Sequence, residues 1–415
     1  MPRPDIGGVY VVVVGSDSDA IARLLGMPAA RFLRDYWQKK PLLVRGALSG
    51  FRDPVTPEEL AGLACEDGVE SRIVRERGPK KWDVVWGPHP EERFTTMPAK
   101  KWTLLVQEVN RHVPEAALLL EPFSFLPNVR VDDVMVSYAA PGGSVGPHLD
   151  SYDVFLVQGL GERRWQYGTK PAKDRRFVPD LDLRILEKPV LDADEVLGPG
   201  DMLYLPPGFA HHGVAVGPCL TYSIGFRSPS LGEMWKDRAR DAADRAANAS
   251  ELLVDPAFSP ATNPGEIPVA LLRDVRRAVR AQDASDDAID RWFARFATRL
   301  APGHELPRPK KPPTAAEIVA RLRWGAAVHR SEEARFAFLP TPRGGLYFYV
   351  GGEEIEVAKA AAPLVRAICA ARRFDASDLS PLVAGAPARA LIAALFARGA
   401  LRFASSRVAA RASKR

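Results

Sequence analysis

The 415-residue sequence predicts a mixed α+β protein built around an antiparallel barrel or sandwich. Three observations carry that expectation. Between Val131 and Phe226, short apolar runs alternate with Gly and Pro at the spacing of antiparallel strands. After Arg227 the pattern turns helical, and beyond a proline-rich stretch it mixes helices with a small β element. Hydrophobic residues at 46% and charged residues at 26% are the balance of a soluble globular chain long enough for two or three domains.

The first twenty residues read as an extension. Their "GVYVVVVG" is too short to span a membrane and no basic segment of signal-peptide type precedes it, so it reads as an extra strand or a leader. Residues 21–230 form the expected catalytic domain. Within it, "AARFLRDYWQKKPLLVRGAL" reads as an amphipathic helix ending near Lys40, with a strand after Pro41. Strands follow in "VMVSYAAPGG", "DVFLVQGLGERRWQYG", "GDMLYLPPGFAHHG" and "LTYSIGF". The helical region is expected over 231–301, opened by a capping box of Ser230 and Glu233. There Ile289, Trp292, Phe293, Phe296 and Leu300 recur at helical spacing and must cover either the barrel or a second subunit. Residues 302–313 are a proline-rich linker. Residues 314–405 start with a second capping box at Thr314 and Glu317 and suit a winged helix or another small α+β cap. Residues 406–415 read as a frayed tail.

Charge and cysteine content narrow the setting. Residues 1–230 carry 27 basic and 30 acidic side chains, net −3, whereas residues 231–415 carry 30 basic and 21 acidic, net +9. An acidic front half suits a basic substrate; a basic rear half suits proximity to nucleic acid or its complexes, or is a solvated arginine-rich surface. Three widely spaced cysteines offer neither a disulfide framework nor a metal knuckle, which points to the cytosol.

The stretch "PGGSVGPHLDSYDVFLVQGLGERRWQYG", Pro141–Gly168, carries the chemistry. On a strand, His148 and Asp150 point to one face, and a buried face rarely keeps a carboxylate beside an imidazole without a partner. A metal supplies that partner. The third ligand is expected from "GDMLYLPPGFAHHG", where a Pro-Pro-Gly turn precedes His211 and His212. Two histidines and one carboxylate on one side of a metal form the facial triad of non-haem Fe(II) oxygenases, with open positions for a 2-oxo acid and dioxygen. Zinc favours a closed site and, in structural roles, cysteine. Alternation lets only one of the adjacent histidines face the metal; the turn-to-ligand spacing selects His211, leaving His212 outward or supporting the ligands.

A co-substrate such as 2-oxoglutarate needs a fixed cation for its far carboxylate, and Arg163 and Arg164 lie on opposite strand faces. An inward Arg163 with Trp165 is self-consistent. In "DDVMVSYA", Asp133, Met135 and Ser137 share a face. Turned inward, Ser137 would meet the co-substrate and Asp133 a cationic substrate group. The opposite register would bury Val134, Val136 and Tyr138, and hydrophobicity alone prefers it.

"GPHLDSYDVFLVQGLGERRW", "GDMLYLPPGFAHHG" and "TYSIGFR" together closely resemble the bacterial ribosomal oxygenases of the JmjC/cupin superfamily. The resemblance runs from about Phe32 through Arg227 and more weakly to the end. It implies a double-stranded β-helix core, a helical dimerisation region making a homodimer, and a C-terminal winged-helix-like domain. It implies His148, Asp150 and His211 as catalytic Fe(II) ligands, with Arg163 and Ser137 on 2-oxoglutarate. Relatives often use lysine at the co-substrate cation. Arginine favours the branch that 3-hydroxylates an arginine of large-subunit ribosomal protein sixteen. One departure is His212, where some relatives carry an acidic residue.

The implied reaction couples oxidation of 2-oxoglutarate to succinate and carbon dioxide with hydroxylation of the protein side chain. Residues 121–201 carry 14 acidic and 9 basic side chains, which welcomes a guanidinium, and Asp133, Tyr152 and Ser223 are the expected substrate contacts. Alternatives are a related oxygenase acting on a histidine of another ribosomal protein or on nucleic acid, or a non-enzymatic cupin sensor with a DNA-binding winged helix. Methyl-lysine demethylation lacks an aromatic cage. "PARALIAALFARGAL" has only Arg389 and Arg398 to offer a groove, so neither sequence-specific DNA binding nor a membrane role is expected.

Overall fold

Segments far apart in the chain, as well as consecutive ones, pair to make the core. In the computed structural model, which describes residues 18–78, 81–181, 183–245, 269–280, 285–301 and 303–404, the strands between Leu42 and Phe226 form two sheets. In chain order they are β1 (Leu42–Val44), β2 (Ser71–Gly78), β3 (Lys81–Trp86), β4 (Trp102–Val106), β5 (Val131–Ala139), β6 (Asp153–Gln158), β7 (Arg163–Tyr167), β8 (Ala193–Leu197), β9 (Met202–Leu205), β10 (His211–Ala215) and β11 (Cys219–Phe226). The large sheet runs β1-β9-β6-β11-β5-β4-β2-β3 and the small one β10-β7-β8, with all of these pairings antiparallel. Two antiparallel sheets packed face to face are the architecture that the strand spacing predicts, and they agree with the double-stranded β-helix that the resemblance implies.

Both faces of the large sheet are covered. Its outer face packs Phe155, Tyr204, Tyr222, Ile224 and Phe226 against Phe32 and Phe123 from the preceding helical turns. Its inner face sends Val154, Leu156, Leu203 and Leu205 to meet Trp165, Tyr167 and Leu197 of the small sheet. A strand buried on both sides needs no hydrophobic alternation, which resolves the register question for β5. Val134 and Val136 join the outer core, while Met135 and Ser137 face inward between the sheets.

The helix expected to reach Lys40 is shorter: it spans Ala29–Asp35. Gln38 takes a left-handed conformation (φ 57°) that no helix continues through, and its N–H donates to the Tyr204 hydroxyl at 2.8 Å. Tertiary bonding overrides the local propensity. The Gln38 amide and the Tyr204 hydroxyl both donate to the buried Asp153 carboxylate, at 3.0 and 2.6 Å, and Arg130 pairs with it at 3.3 Å. That carboxylate ties the entering segment to the barrel.

The chain divides into two compact units. The first joins the barrel segment through Ser228 to Glu305–Ala334 and the residues from Ala360 onward. Its C-terminal part sets helix Ala315–Arg323, capped by Thr314 and Glu317, with helices Ala362–Ala370 and Ala386–Ala397 and a three-stranded sheet of Val328–Arg330, Arg373–Phe374 and Leu401–Phe403. Helix Ala386–Ala397 buries Leu391, Ile392, Leu395 and Phe396, and Arg389 donates to the Val383 carbonyl at 3.0 Å. It is a packing helix.

The second unit comprises Pro229–His304 and Arg335–Lys359. Its helix Leu231–Arg245 opens on reciprocal bonds between Ser230 and Glu233. Helix Asp286–Thr298 lies on the sheet of Phe336–Pro340, Leu346–Val350 and Glu353–Val357, so the predicted apolar stripe covers a sheet of its own unit. Trp292 is buried and donates to Asp237 at 3.0 Å, while Ile289 and Phe293 stay exposed. The expected N-terminal strand or leader, apart from residues 18–20, and the expected tail lie outside the described residues.

Phe155 touches Phe32, Phe123, Tyr204 and Phe226 and has no exposed surface. Phe155→Ala is expected to cost roughly 3–5 kcal/mol, read from urea denaturation, since rigid rings on all sides limit collapse into the cavity.

Candidate metal centre and co-substrate pocket

Backbone pairing assembles the predicted ligands. His148 and His211 form an antiparallel bridge, each N–H donating to the other's carbonyl at 3.0 and 3.1 Å. Opposed residues of such a pair project to one side, and the rings stand 4.2 Å apart between centroids. Asp150, two residues on, completes a cluster in which a ligand atom from each residue lies within 4.8 Å of the others. His211 Nε2 is 3.4 Å from the Asp150 carboxylate and His148 Nε2 is 4.0 Å from it.

The tautomers are set by the backbone. Nδ1–H of His148 donates to the Gly146 carbonyl at 2.9 Å and Nδ1–H of His211 to that of Phe209 at 3.1 Å. Each Nε2 lone pair is thereby aimed at the cluster, the second-partner arrangement that metal-ligating imidazoles require. Burial, with His211 beside it, pushes His148 down to about 4, so the imidazole is neutral and ready to ligate. Burial raises the Asp150 carboxyl, but the adjoining His211, the Tyr152 hydroxyl and His148 outweigh it and hold the group below the usual carboxylate range. His212 sits opposite Gln166 on the other face of β10 and is half-buried, away from the cluster.

The cluster opens into a cavity of about 200 Å³ between the sheets. Arg163 lies at its inner end, 3% exposed, with Trp165 beneath the guanidinium at 5.0 Å. Arg164 points out and pairs with Asp194. Ser137 and Thr221 face each other across β5 and β11, and both accept from Arg163, at 3.2 and 3.4 Å. The Gly213 carbonyl accepts at 3.3 Å. No carboxylate pairs with Arg163 among the described residues, its Nε has no hydrogen-bond partner, and burial lowers its pKa. Thr103 Oγ1 and Trp165 Nε1 are likewise buried without partners. A buried guanidinium without a counter-ion is costly, and orphaned polar groups around it mark a place made for an anion. The residues therefore fit a dicarboxylate held by Arg163 at one end and by a metal at the other.

Of the expected substrate contacts, Tyr152 and Ser223 line the cavity. Asp133 shares a strand face with Met135 and Ser137 but is not among the lining residues. Its carboxylate accepts the Glu108 N–H at 3.0 Å. Burial, then the neighbouring Asp132, raises it to about 7. Sequence reasoning missed Thr103, Thr221, Arg72 and Gly213. Thr221 stood in the quoted "TYSIGFR" opposite Ser137, a signal available once β5 and β11 were paired. A Cβ on Gly213 would lie 2.6 Å from Arg163 Nε and 2.7 Å from the Trp165 ring, so only glycine lets β10 pass over that pair.

Two family models match the chain: the JmjC domain over residues 118–234 and the ROXA-like winged helix over residues 278–402. The Escherichia coli ribosomal protein uL16 3-hydroxylase is 36% identical over 326 residues, spanning 78% of this chain and 84% of that protein. A probable ribosomal oxygenase of Haemophilus influenzae is 45% identical over 204 residues, 49% of this chain and 50% of that one. The solved structure of the Escherichia coli ribosomal oxygenase YcfD with cobalt and 2-oxoglutarate superposes with a TM-score of 0.77 at 32% identity, covering 92% of this chain and 99% of that chain. A JmjC barrel with a His-Asp-His cluster above a buried arginine defines the class of Fe(II)- and 2-oxoglutarate-dependent oxygenases. Within it, the chain belongs to the bacterial ribosomal oxygenase family.

His148→Ala and Asp150→Ala are each expected to abolish high-affinity binding of Mn(II) or Co(II) in calorimetry. Arg163→Ala should leave metal binding intact while weakening 2-oxoglutarate at least a hundredfold, the scale of a lost charge-assisted bidentate bond.

Proposed function

We propose that this protein hydroxylates an arginine side chain of large-subunit ribosomal protein uL16, using Fe(II), 2-oxoglutarate and dioxygen. The observation that carries the reading is the unpaired buried Arg163 facing a His-Asp-His cluster across one cavity. The similarity to the uL16 3-hydroxylase supplies the substrate class.

The metal and 2-oxo acid supply oxidative decarboxylation and an oxidant able to insert one oxygen atom into a C–H bond. The chain's own residues aim that chemistry. His148, Asp150 and His211 would hold the metal from one side, leaving the other side to ligands. Arg163, with Ser137 beside it, would clamp the far carboxylate, and Trp165 together with Leu156 keeps water from that end. Tyr152 bonds to Asp150 and, with Ser223, borders the space left for the target side chain.

We assign Asp133 to the incoming guanidinium. It is half-buried, and Asp132 and Glu108 add negative charge that a cation offsets, as Arg111 already does in part. Tyr152 lies within electrostatic reach of Asp133. Because the free carboxyl is protonated up to about 7, substrate affinity should rise as pH climbs through that value. In Asp133→Asn the same titration should be flat, while 2-oxoglutarate affinity is unchanged.

We further propose a homodimer and a cytoplasmic setting, with the catalytic domain over 21–230, the dimerising region over 231–301, the linker over 302–313 and the winged-helix-like domain over 314–405. On helix Leu231–Arg245, Leu231 and Trp235 are 72% and 73% exposed, and Val269 and Val279 on the next helix are also exposed. Apolar side chains at this density favour a partner. Trp235→Asp is expected to halve the mass in light scattering. The apolar, buried surface of helix Ala386–Ala397 favours the enzyme over a DNA-reading sensor.

The deciding experiment incubates the protein with Fe(II), 2-oxoglutarate and unmodified ribosomal proteins and maps masses by tandem spectrometry. A gain of one oxygen on a uL16 arginine, absent in His148→Ala, is expected. A gain on histidine instead would transfer the protein to the other branch of the family.

A further inference from the structure

β3 is the last strand of the large sheet, so one of its edges carries no neighbouring strand among the described residues. The ladder fixes which residues face that edge. Antiparallel partners alternate between pairs that exchange both backbone bonds and pairs that turn both groups away. Gly87 N–H donates to the Ser71 carbonyl at 2.9 Å, which makes Ser71 and Gly87 a bonded pair. The register then sets Arg72 opposite Trp86, Val74 opposite Val84 and Glu76 opposite Trp82 at the unbonded positions. Glu76 N–H agrees with this phase, since it donates to Lys101 on the far side of β2 at 3.2 Å. Trp82, Val84 and Trp86 therefore present their N–H and C=O groups to the open edge.

The same three side chains share one face by the period of two, and that face leads to the cavity. Arg72, paired with Trp86 and lying over its ring at 5.5 Å, lines the cavity. At the other end, a Cβ on Gly146 would meet both Trp82, at 3.2 Å, and Ile185, at 2.9 Å, and Ile185 is also a lining residue. Edge strands are ordinarily guarded by charge. On this hairpin Lys81, with the Arg77–Asp83 pair, sits toward the turn, whereas Val84, Val85 and Trp86 carry none, and Trp86 is 54% exposed.

We propose that the open edge of β3 is where the substrate polypeptide docks, an extended segment beside the hydroxylated residue adding to the sheet as a further strand along Trp82–Trp86. The inference rests on reading the pocket as a protein hydroxylase. An edge about 20 Å long holds several residues of peptide, and its main-chain bonds accept almost any sequence. Trp82 and Trp86 then select alternate side chains. A strand laid along this face of the barrel passes the cavity, where one side chain can turn in while the backbone stays on the edge.

The first test needs no variant. Hydrogen exchange of the metal-loaded protein should show the amides of Trp82, Val84 and Trp86 slowed on adding uL16. The second compares Val84→Pro, which removes one edge N–H and keeps the β2 ladder, with Val84→Ala, which keeps both. Val84→Pro should raise KM for uL16 on the order of tenfold with kcat within about twofold, and Val84→Ala should lie near the parent. Unslowed amides, or an unchanged KM in a folded Val84→Pro, overturn the proposal. So does slowing that appears without substrate as protein concentration rises, because the edge then pairs with a second copy. If the parent modifies no ribosomal protein, the function proposed above falls, while exchange with and without uL16 still decides the docking.

Discussion

A guanidinium buried without a carboxylate among the described residues is the constraint around which this barrel is arranged. Arg163 cannot be stabilised by hydrophobic packing, and desolvating its charge costs several kcal/mol unless oxygen atoms surround it. The sheets supply those atoms from three strands at once: Ser137 from β5, Thr221 from β11 and the Gly213 carbonyl from β10. Gly213 is glycine because Arg163 and Trp165 fill the space where its side chain would be. Arg163 Nε stays without a hydrogen-bond partner, as do Thr103 Oγ1 and Trp165 Nε1. Stability is thus exchanged for a preorganised anion site, and the cost is met by an apolar layer of Leu156, Leu203, Trp165 and Tyr167 packed around it.

The metal cluster obeys a complementary logic. Its ligands are brought together by main-chain hydrogen bonds between residues 63 positions apart, so the geometry depends on sheet register rather than on side-chain packing. A slip of one residue would turn His211 out and His212 in. The register is held by the five-residue ladder of β10 with β7 and by the double bond between His148 and His211. Arg163 sits on that same β7, paired with Ala215 of β10. One ladder therefore sets the spacing between Arg163 and His211.

Much of this was legible in the sequence because alternation acts on both the chemistry and the packing. His148 with Asp150 and Arg163 with Trp165 follow from a period of two, which also lets only one of His211 and His212 face the cluster, the spacing from the Pro-Pro-Gly turn selecting His211. The second side of β5 was not legible, because a strand buried on both faces shows no contrast between Val134 and Met135. The end of helix Ala29–Asp35 was hidden for a different reason: Gln38 leaves helical geometry to bond Tyr204 and Asp153, partners more than a hundred residues away. Thr103 escaped notice since "WTLLV" is entirely buried and carries no signal for which face meets the cavity. The strands after Arg335 gave their positions but not their grouping with the helices of 229–304, which only long-range packing determines.

The edge of β3 shows why a substrate site can be invisible in sequence and plain in a fold. Nothing in "KWDVVW" itself marks which of its backbone groups find a partner strand. Only the sheet order leaves one of its edges without a neighbouring strand among the described residues, and only the hydrogen-bond phase set by Gly87 and Glu76 puts the open backbone groups on Trp82, Val84 and Trp86, whose side chains share the face that leads to the cavity. Had the phase been opposite, the open groups would belong to Asp83 and Val85, whose side chains lie on the other face. An added strand would then carry its side chains past the pocket at the wrong positions. The coincidence of open backbone and inward side chains ties the edge to the same cavity that Arg163 and the His-Asp-His cluster define, so that presentation, co-substrate and metal all derive from the pleat of one barrel.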